Sequence, residues 1–261
     1  MNIVVCLKQV PDTETRIRIK DDAGKGIVRE NVKFIISPFD EFALEEALRL
    51  KEKLGGQVIA LSLGPDRAKD ALRTALAVGA DKAVHVNDGG LAGTDSLGVA
   101  RTLAAAIRKL DHDVVLFGKK GVGLDRGQVP AQVAQILGLP FAGQATEITV
   151  SDDGKSATVD REIEGGRERF EVPLPAVISR EKSANELRHA ALKGIMAAKS
   201  KPIQAFTLAD LGLDAAALQP KVLVSKMEYP TERTAGRVLQ GDAATAAREL
   251  VRLLHEEAKV I

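Results

Sequence analysis

Short apolar runs alternate with helical stretches from the first residues to about Leu139, and this alternation limits the available folds more than any other feature. The runs that we predict as strands are Ile3–Val5, Val58–Leu63, Ala83–Val86 and Val114–Phe117. Strands separated by helices form βαβ units, which build a parallel sheet covered by helices on both faces. We therefore predict an α/β fold with a parallel, doubly wound, Rossmann-like sheet.

The helices between these strands have recognisable ends. Ser37 is a favourable N-cap, Pro38 suits the first helical position, and Gly55-Gly56 ends the helix that follows. We predict further helices over Asp66–Val78, Asp95–Leu110 and Val129–Leu137. Loops that leave the carboxyl ends of parallel strands share one crevice, where such sheets bind ligands. The loops concerned here start at Val10, Ser37, Gly64 and Gly118.

The pattern changes after Pro140. Turn sequences at Asp152-Asp153-Gly154 and Glu164-Gly165-Gly166 predict antiparallel hairpins over Thr146–Val150, Ser156–Arg161 and Arg167–Val172. A strand at Ala176–Ser179, a basic helix over Leu187–Ala198 and a final helix near Ala243–Ala258 follow. We predict one α/β domain over residues 1–221, with the antiparallel insertion and the basic helix within 145–203. Residues 222–261 have little core of their own, and we expect this extended C-terminal arm to pack on another chain.

Composition excludes several classes of function. The 37 Lys and Arg residues nearly balance the 36 Asp and Glu residues, so the chain has no strong electrostatic field to attract nucleic acid. Trp is absent, which argues against a surface of aromatic rings that stack on bases. No apolar run approaches the roughly 20 residues of a membrane span, and the first residues do not resemble a signal peptide. We expect a cytoplasmic protein that is not embedded in a membrane. A single cysteine leaves no internal disulfide framework.

A glycine-rich loop follows the strand that ends near Phe117. Gly118, Gly121, Gly123 and Gly127 precede the helix that we predict from Val129. A strand, a flexible turn and a helix N-terminus direct several backbone N–H groups to one point, which suits a phosphate. The loop is not a Walker A motif, and the third glycine of the dinucleotide fingerprint is replaced by Arg126. Spacing alone therefore leaves phosphate binding and an ordinary βα turn equally open.

Residues that could carry out catalysis are not apparent. None of the four histidines has metal-ligand spacing or pairs with a nucleophile motif, and we interpret each as a surface residue. Cys6 lies inside the first strand and is interpreted as a small core residue. We therefore expect neither a catalytic residue nor a metal site.

The segment ELRHAALKGIMAAKSKPI (186–203) is basic within a nearly neutral chain. Leu187, Ala191, Ile195 and Ala198 fall on one helical stripe, and Leu192 and Met196 on an adjacent one. One interpretation is an amphipathic surface helix whose apolar side is core. The other is a docking element in which an exposed Leu or Met sits inside a basic rim that attracts an acidic partner.

Several segments together resemble the β subunit of the electron transfer flavoprotein, over essentially the whole chain. These are VVCLKQVPDT, SPFDEFALEEALRLKE, LSLGPDRAKDALRTALAVGADKAVHV, FGKKGVGLDRGQVPAQVA, VDREIEGGRERFEVPLPAVIS, LRHAALKGIMAAKSKPI and RTAG. The resemblance implies a non-catalytic subunit of a heterodimer with an α subunit. Such a heterodimer carries electrons from flavin dehydrogenases, such as the acyl-CoA dehydrogenases of fatty acid β-oxidation, to a membrane quinone oxidoreductase.

The resemblance also implies cofactors: FAD held mainly by the α subunit, and a structural AMP in this adenine-nucleotide-binding fold. The family contacts the phosphate with a hydroxyl whose position corresponds to Val129, which has no hydroxyl. Members of the family that bifurcate electrons hold a second FAD where the others hold AMP. The implied AMP contacts are Cys6, Ser37, Pro38, Phe39, Asp40, Leu63, Gly118, Lys119, Gly121, Gly123, Leu124, Asp125, Arg126, Gly127, Gln128 and Val129.

Contacts with partner proteins are implied as well. Leu192 matches the leucine that the family inserts into a dehydrogenase, and Glu162 matches an acidic residue that contacts the α subunit. Thr13 falls where some members place a tyrosine beside the flavin ring. The remaining residues of the implied docking segment are Arg188, Lys193, Ile195, Met196 and Lys199.

Two other functions compete with this one. An adenylate-forming enzyme could use the same crevice, but its Ser-Gly-Gly and His-x-Gly-His motifs are absent. A stand-alone nucleotide sensor of the universal-stress type would account for residues 1–140, but it leaves the basic segment and the C-terminal arm unexplained.

Overall fold

The computed structural model describes residues 1–20, 26–182, 185, 187–231 and 236–261. It divides into two compact units. The first contains Met1–Arg18 and Ile27–Ser225, and the second contains Ile19–Gly26 and Lys226–Ile261.

Eleven strands and six α-helices lie in the described part of the chain. The strands are β1 (Asn2–Cys6), β2 (Gln9–Pro11), β3 (Phe34–Ile36), β4 (Gln57–Leu63), β5 (Lys82–Val86), β6 (Val114–Gly118), β7 (Phe141–Val150), β8 (Ser156–Ile163), β9 (Gly166–Pro173), β10 (Ala176–Arg180) and β11 (Ile203–Phe206). The helices are α1 (Pro38–Leu54), α2 (Ala68–Val78), α3 (Ser96–Ile107), α4 (Val129–Leu137), α5 (Leu192–Ser200) and α6 (Ala243–Glu256).

Nine of these strands form one sheet in the order β11-β5-β4-β1-β6-β10-β7-β8-β9, while β2 and β3 form a separate antiparallel pair. All neighbours from β11 to β7 run parallel. The chain first builds outward from β1 through β4 to β5 and then crosses to the other side of β1 as β6. The strand order therefore reverses between β1 and β6, which opens a crevice beyond their carboxyl ends.

Alternating side chains of the central strands face two separate apolar layers. Ile3 and Val5 of β1 pack with residues of α1 and α2, whereas Val4 and Cys6 pack with residues of α3 and α4. Successive side chains of a strand point to opposite faces, so a strand buried on both faces must be apolar throughout. The predicted parallel, doubly wound α/β fold is confirmed.

Several local predictions need correction. β10, predicted as a strand over Ala176–Ser179 with no assigned partner, runs parallel between β6 and β7. The basic helix begins at Leu192, five residues later than predicted, because Ala191 is extended at φ −70° and ψ 154°. His85, predicted on the surface, is buried, and its Nε2 lies 2.9 Å from the carbonyl oxygen of Gly64. The short strands β2, β3 and β11 were not predicted.

The second unit contains the amphipathic helix α6. The Asp242 side chain accepts a hydrogen bond from the Thr245 backbone N–H at 2.7 Å and caps its N-terminus. Arg252 pairs with Glu249 and Glu256 along one side. No side chain of α6 is buried. Among the described helices, none has both the length and the apolar character needed to cross a membrane.

Candidate functional site

A cavity of about 240 Å³ lies at the carboxyl ends of β1 and β6, where the strand order reverses. Its apolar walls include Leu61, Leu63, Val99 and Leu103, and its polar side includes the loop between β6 and α4. Apolar walls with a few convergent polar groups are typical of sites for small organic ligands.

The floor of the cavity is organised by Asp40, in the first turn of α1. Its Oδ2 accepts a hydrogen bond from the Lys8 backbone N–H at 2.8 Å, and its Oδ1 accepts one from the Gly118 backbone N–H at 2.9 Å. One buried carboxylate thus joins the ends of β1 and β6 to the start of α1. Gly118 allows this approach because a Cβ there would lie 2.5 Å from Oδ1 of Asp40.

Burial dominates the electrostatics of this floor. It raises the pKa of Asp40 from 3.8 to about 7, although the two backbone N–H donors and the Lys8 ammonium act in the opposite direction. Burial also raises the pKa of the Cys6 thiol, and the neighbouring Asp40 raises it further. Cys6 is therefore kept as a neutral thiol, and its environment is unlike that of a reactive cysteine.

Three cationic side chains line the cavity: Lys8, Lys120 and Arg126. Burial lowers the pKa of the Lys8 ammonium below its ordinary 10.5, with Asp40 partly offsetting the effect. Lys120 pairs with Asp125 at 2.9 Å. Cations around an otherwise apolar cavity suit a ligand that carries an anionic group on an apolar body.

Helix α4 directs its N-terminus towards the same cavity. Gln128 at the N-cap, Val129 and Pro130 line the cavity, and the helix has no side-chain cap within the described part of the chain. The backbone N–H groups of a helix N-terminus and its dipole favour an anion. The preceding loop turns through positive φ at Gly123 (95°), Asp125 (49°) and Gly127 (61°).

Most of the sequence-predicted nucleotide residues meet at this cavity. Those that line it are Cys6, Asp40, Leu63, Gly118, Gly121, Leu124, Arg126, Gly127, Gln128 and Val129. The other predicted residues lie next to the cavity in sequence, at the start of α1 or in the loop between β6 and α4: Ser37, Pro38, Phe39, Lys119, Gly123 and Asp125. Ser37 occupies the predicted N-cap position of α1, but its side chain does not cap the helix; its Oγ accepts a hydrogen bond from the Val122 backbone N–H at 3.4 Å.

Sequence reasoning missed Lys8 and Asp95. Lys8 lies just beyond Leu7 after the end of β1, so its place after the first parallel strand was an available signal. Asp95 lines the cavity wall and caps α3, accepting hydrogen bonds from the Leu97 and Gly98 backbone N–H groups at 3.0 Å. Its second oxygen accepts from the Lys221 backbone N–H at 2.6 Å, a long-range contact without a local sequence signal.

The predicted docking residues lie elsewhere in the first unit. Leu192, Ile195 and Met196 of α5 are exposed by 76%, 42% and 58%, which is unusual for large apolar side chains, and Lys193 and Lys199 are also exposed. Arg188 differs from them, because it forms ion pairs with Glu45 at 2.9 Å and Glu52 at 2.6 Å. Its charge is therefore neutralised within the chain, which argues against the predicted role in attracting a partner.

The two remaining predicted contacts are exposed. Glu162 lies near the tip of the β8–β9 hairpin, with its Oε1 3.9 Å from Nη2 of Arg167. Thr13 lies in an exposed turn after β2. Within the described residues, no group of His, Cys, Asp and Glu side chains has the arrangement of a metal site.

The fold and the cavity define an α/β protein with a candidate site for a small ligand, apolar-walled and bordered by cations, at the switch in strand order. The sequence matches the electron transfer flavoprotein domain over residues 25–211. It is 37% identical over 262 residues to the electron transfer flavoprotein subunit beta of Bacillus subtilis, covering 100% of both chains.

Two eukaryotic proteins show the same likeness. The mitochondrial electron transfer flavoprotein subunit beta of Arabidopsis thaliana is 38% identical over 266 residues, covering 100% of both chains. The human electron transfer flavoprotein subunit beta is 41% identical over 240 residues, covering 90% of this chain and 91% of that protein. The chain belongs to the electron transfer flavoprotein beta-subunit family and is an electron-transport protein.

Proposed function

We propose that this chain pairs with an α subunit as the β subunit of a heterodimeric electron transfer flavoprotein. The relatives are named as beta subunits over their full length, which supports an assembly with a second, different chain. In this proposal the α subunit holds most of the FAD, and Thr13 of this chain lies beside the flavin. Glu162 and the exposed tip of the β8–β9 hairpin contact the α subunit.

The cavity at the ends of β1 and β6 holds a structural AMP that is not turned over. The observation that carries this proposal is the convergence of Lys8, Arg126 and the α4 N-terminus on one apolar cavity. The apolar walls suit an adenine ring and the cations suit one phosphate. Lys8 and Arg126 offset the missing hydroxyl at Val129.

The heterodimer accepts electrons from flavin dehydrogenases of the acyl-CoA type and passes them to a membrane quinone oxidoreductase. The exposed apolar face of α5, which consists of Leu192, Ile195 and Met196, docks the dehydrogenase, and Lys193 and Lys199 form its basic rim. This chain itself is not catalytic: its cavity floor consists of a buried carboxylate bonded to backbone N–H groups and a neutral thiol.

The experiment that tests the nucleotide is mass spectrometry of the ligand released on denaturing the purified heterodimer. One AMP in this subunit for each FAD is the expected result. A second FAD with no AMP would assign the cavity to an electron-bifurcating protein. Protein free of nucleotide, or protein that binds ATP as a single chain, would favour the sensor function instead.

A further inference from the structure

Helix α5 is held on the body of the protein at both ends by arginines from different positions in the chain. At its C-terminal end, Nη1 of Arg73 donates hydrogen bonds to the carbonyl oxygens of Ala198 at 2.6 Å and Lys201 at 2.5 Å. The last carbonyl groups of a helix have no partners within the helix, so Arg73 of α2 supplies a cap from a neighbouring element.

The first turn of α5 approaches α2 closely. A Cβ at Gly194 would lie 2.3 Å from the carbonyl oxygen of Ala77, so a glycine is required where the two backbones meet. Ala198, one turn later, is buried against the same layer. These two small residues determine which face of α5 points inward.

At the other end, Arg188 ties the segment that precedes α5 to helix α1. Its Nε lies 2.9 Å from Oε2 of Glu45 and its Nη2 lies 3.0 Å from Oε1, which is a bidentate arrangement. Its Nη1 lies 2.6 Å from Oε1 of Glu52. These hydrogen bonds, first to Glu45 and then to Glu52, raise the pKa of Arg188 above its ordinary value.

Apolar packing beneath this segment is incomplete. A second cavity, of about 190 Å³, lies under residues 187–190 and is lined by Leu44 and Leu48 of α1 and Val78 of α2. A cavity beneath a segment removes part of the apolar contact that would otherwise hold it. The ion pairs of Arg188 with Glu45 and Glu52 therefore contribute to holding this segment on α1.

We propose that Arg188 and Arg73 are positioning residues that hold the exposed face of α5 (Leu192, Ile195 and Met196) in the geometry that binds a reduced flavin dehydrogenase. This inference rests on the proposed docking function. Neither arginine touches the dehydrogenase; each acts through the helix between them. A face that is already held in its binding conformation loses less conformational entropy on binding, so the dehydrogenase binds more tightly.

The test uses the heterodimer with three variants: Arg188→Gln, Arg73→Gln and the matched control Arg108→Gln. Arg108 also donates to a backbone carbonyl, that of Ile136, but lies away from α5. Hydrogen exchange at residues 192–200 is measured first. It should be faster in Arg188→Gln and Arg73→Gln and unchanged in the control Arg108→Gln. Electron uptake is then measured with an acyl-CoA dehydrogenase reduced by its substrate.

If the binding conformation falls to about one tenth of the population, the KM for the heterodimer rises about tenfold while kcat changes little. Arg188→Lys should recover only part of the affinity, because an ammonium cannot bridge two carboxylates as a guanidinium does. Should Arg188→Gln fail to assemble, Glu52→Gln, which removes only the more exposed carboxylate, should show a smaller rise in KM.

Two results would overturn the inference in different ways. A wild-type heterodimer that takes no electrons from the dehydrogenase refutes the proposed docking function, and the inference falls with it. The positioning role alone is refuted if the wild-type heterodimer is active and both Arg188→Gln and Arg73→Gln keep the wild-type KM.

Discussion

The Oδ1 atom of Asp40 lies 2.9 Å from the backbone nitrogen of Gly118, which is 78 positions further along the chain. This contact brings the first turn of α1 against the end of β6 and forms the floor of the candidate nucleotide cavity. The same carboxylate accepts from the backbone N–H of Lys8, so the cavity floor depends on one buried acidic group.

Asp40 should make stability depend on pH. Its pKa rises from 3.8 to about 7 on folding, so between these values the folded protein binds more protons than the unfolded chain. The free energy of unfolding should therefore fall as pH rises from about 4 to 7, by up to about 1.4 kcal/mol for each pKa unit of difference.

Replacing Asp40 by Asn should remove this slope, which urea unfolding at several pH values would measure. Carbon NMR of the Asp40 carboxyl group should show a midpoint near 7. A midpoint near 4 would contradict the prediction.

Gly118→Ala should destabilise the protein and release the nucleotide. The added Cβ would lie 2.6 Å from the carbonyl carbon of Phe39 as well as against Asp40, so the start of α1 must move. Overpacking of this kind costs about 1–3 kcal/mol, which thermal unfolding would detect. Gly89→Ala is the control, because its Cβ would meet no atom within 4 Å. Equal melting temperatures for the two variants would refute the prediction.

Arg126→Gln should weaken nucleotide retention while leaving the fold intact. A hydrogen bond to a charged group contributes about 1.5–3 kcal/mol, so the AMP content after extensive dialysis should fall. Lys155→Gln, in the exposed turn between β7 and β8, serves as the control. Full retention of AMP in Arg126→Gln would show that the phosphate lies elsewhere.

Leu192→Ala should impair dehydrogenase binding without affecting stability, because the Leu192 side chain is 76% exposed. Truncating an apolar anchor costs about 2 kcal/mol or more, roughly a thirtyfold loss of affinity. The matched control is Leu72→Ala in the core of α2, which should lower stability by about 2–5 kcal/mol. Thermal unfolding and electron uptake would separate the two, and a large loss of stability in Leu192→Ala would contradict the docking role.

Deleting residues 243–261 should weaken the heterodimer and leave the first unit folded. No side chain of α6 is buried, and Leu250 and Val251 are exposed, which suits an arm that packs on another chain. Gel filtration with the α subunit would measure assembly, and circular dichroism would monitor the α/β unit. Unchanged assembly would place the α-subunit interface outside this helix.

Local patterns predicted the secondary structure of the first 140 residues well. Helix α4 has the predicted bounds, and α1 ends just before Gly55 as predicted. Both helices are marked by local signals in the sequence: a glycine after the helix, a proline near its start and apolar residues that recur about every 3.6 positions. The hairpin turns at Gly154 and Gly165 were predicted for the same reason, since each needs a positive φ that glycine adopts readily.

The sequence predicted that the loop after Gly118 would border a crevice at the carboxyl ends of the parallel strands, and this loop lines the candidate cavity. It missed the segment at Thr94–Ser96, which also lines the cavity. It did not predict that Asp40 would bond to both Lys8 and Gly118, or that Arg188 would pair with Glu45, 143 positions away. Nor did it predict that β10 returns to the sheet between β6 and β7. These contacts depend on strand order and on which distant side chains are buried together, so they exist only once the tertiary structure has formed.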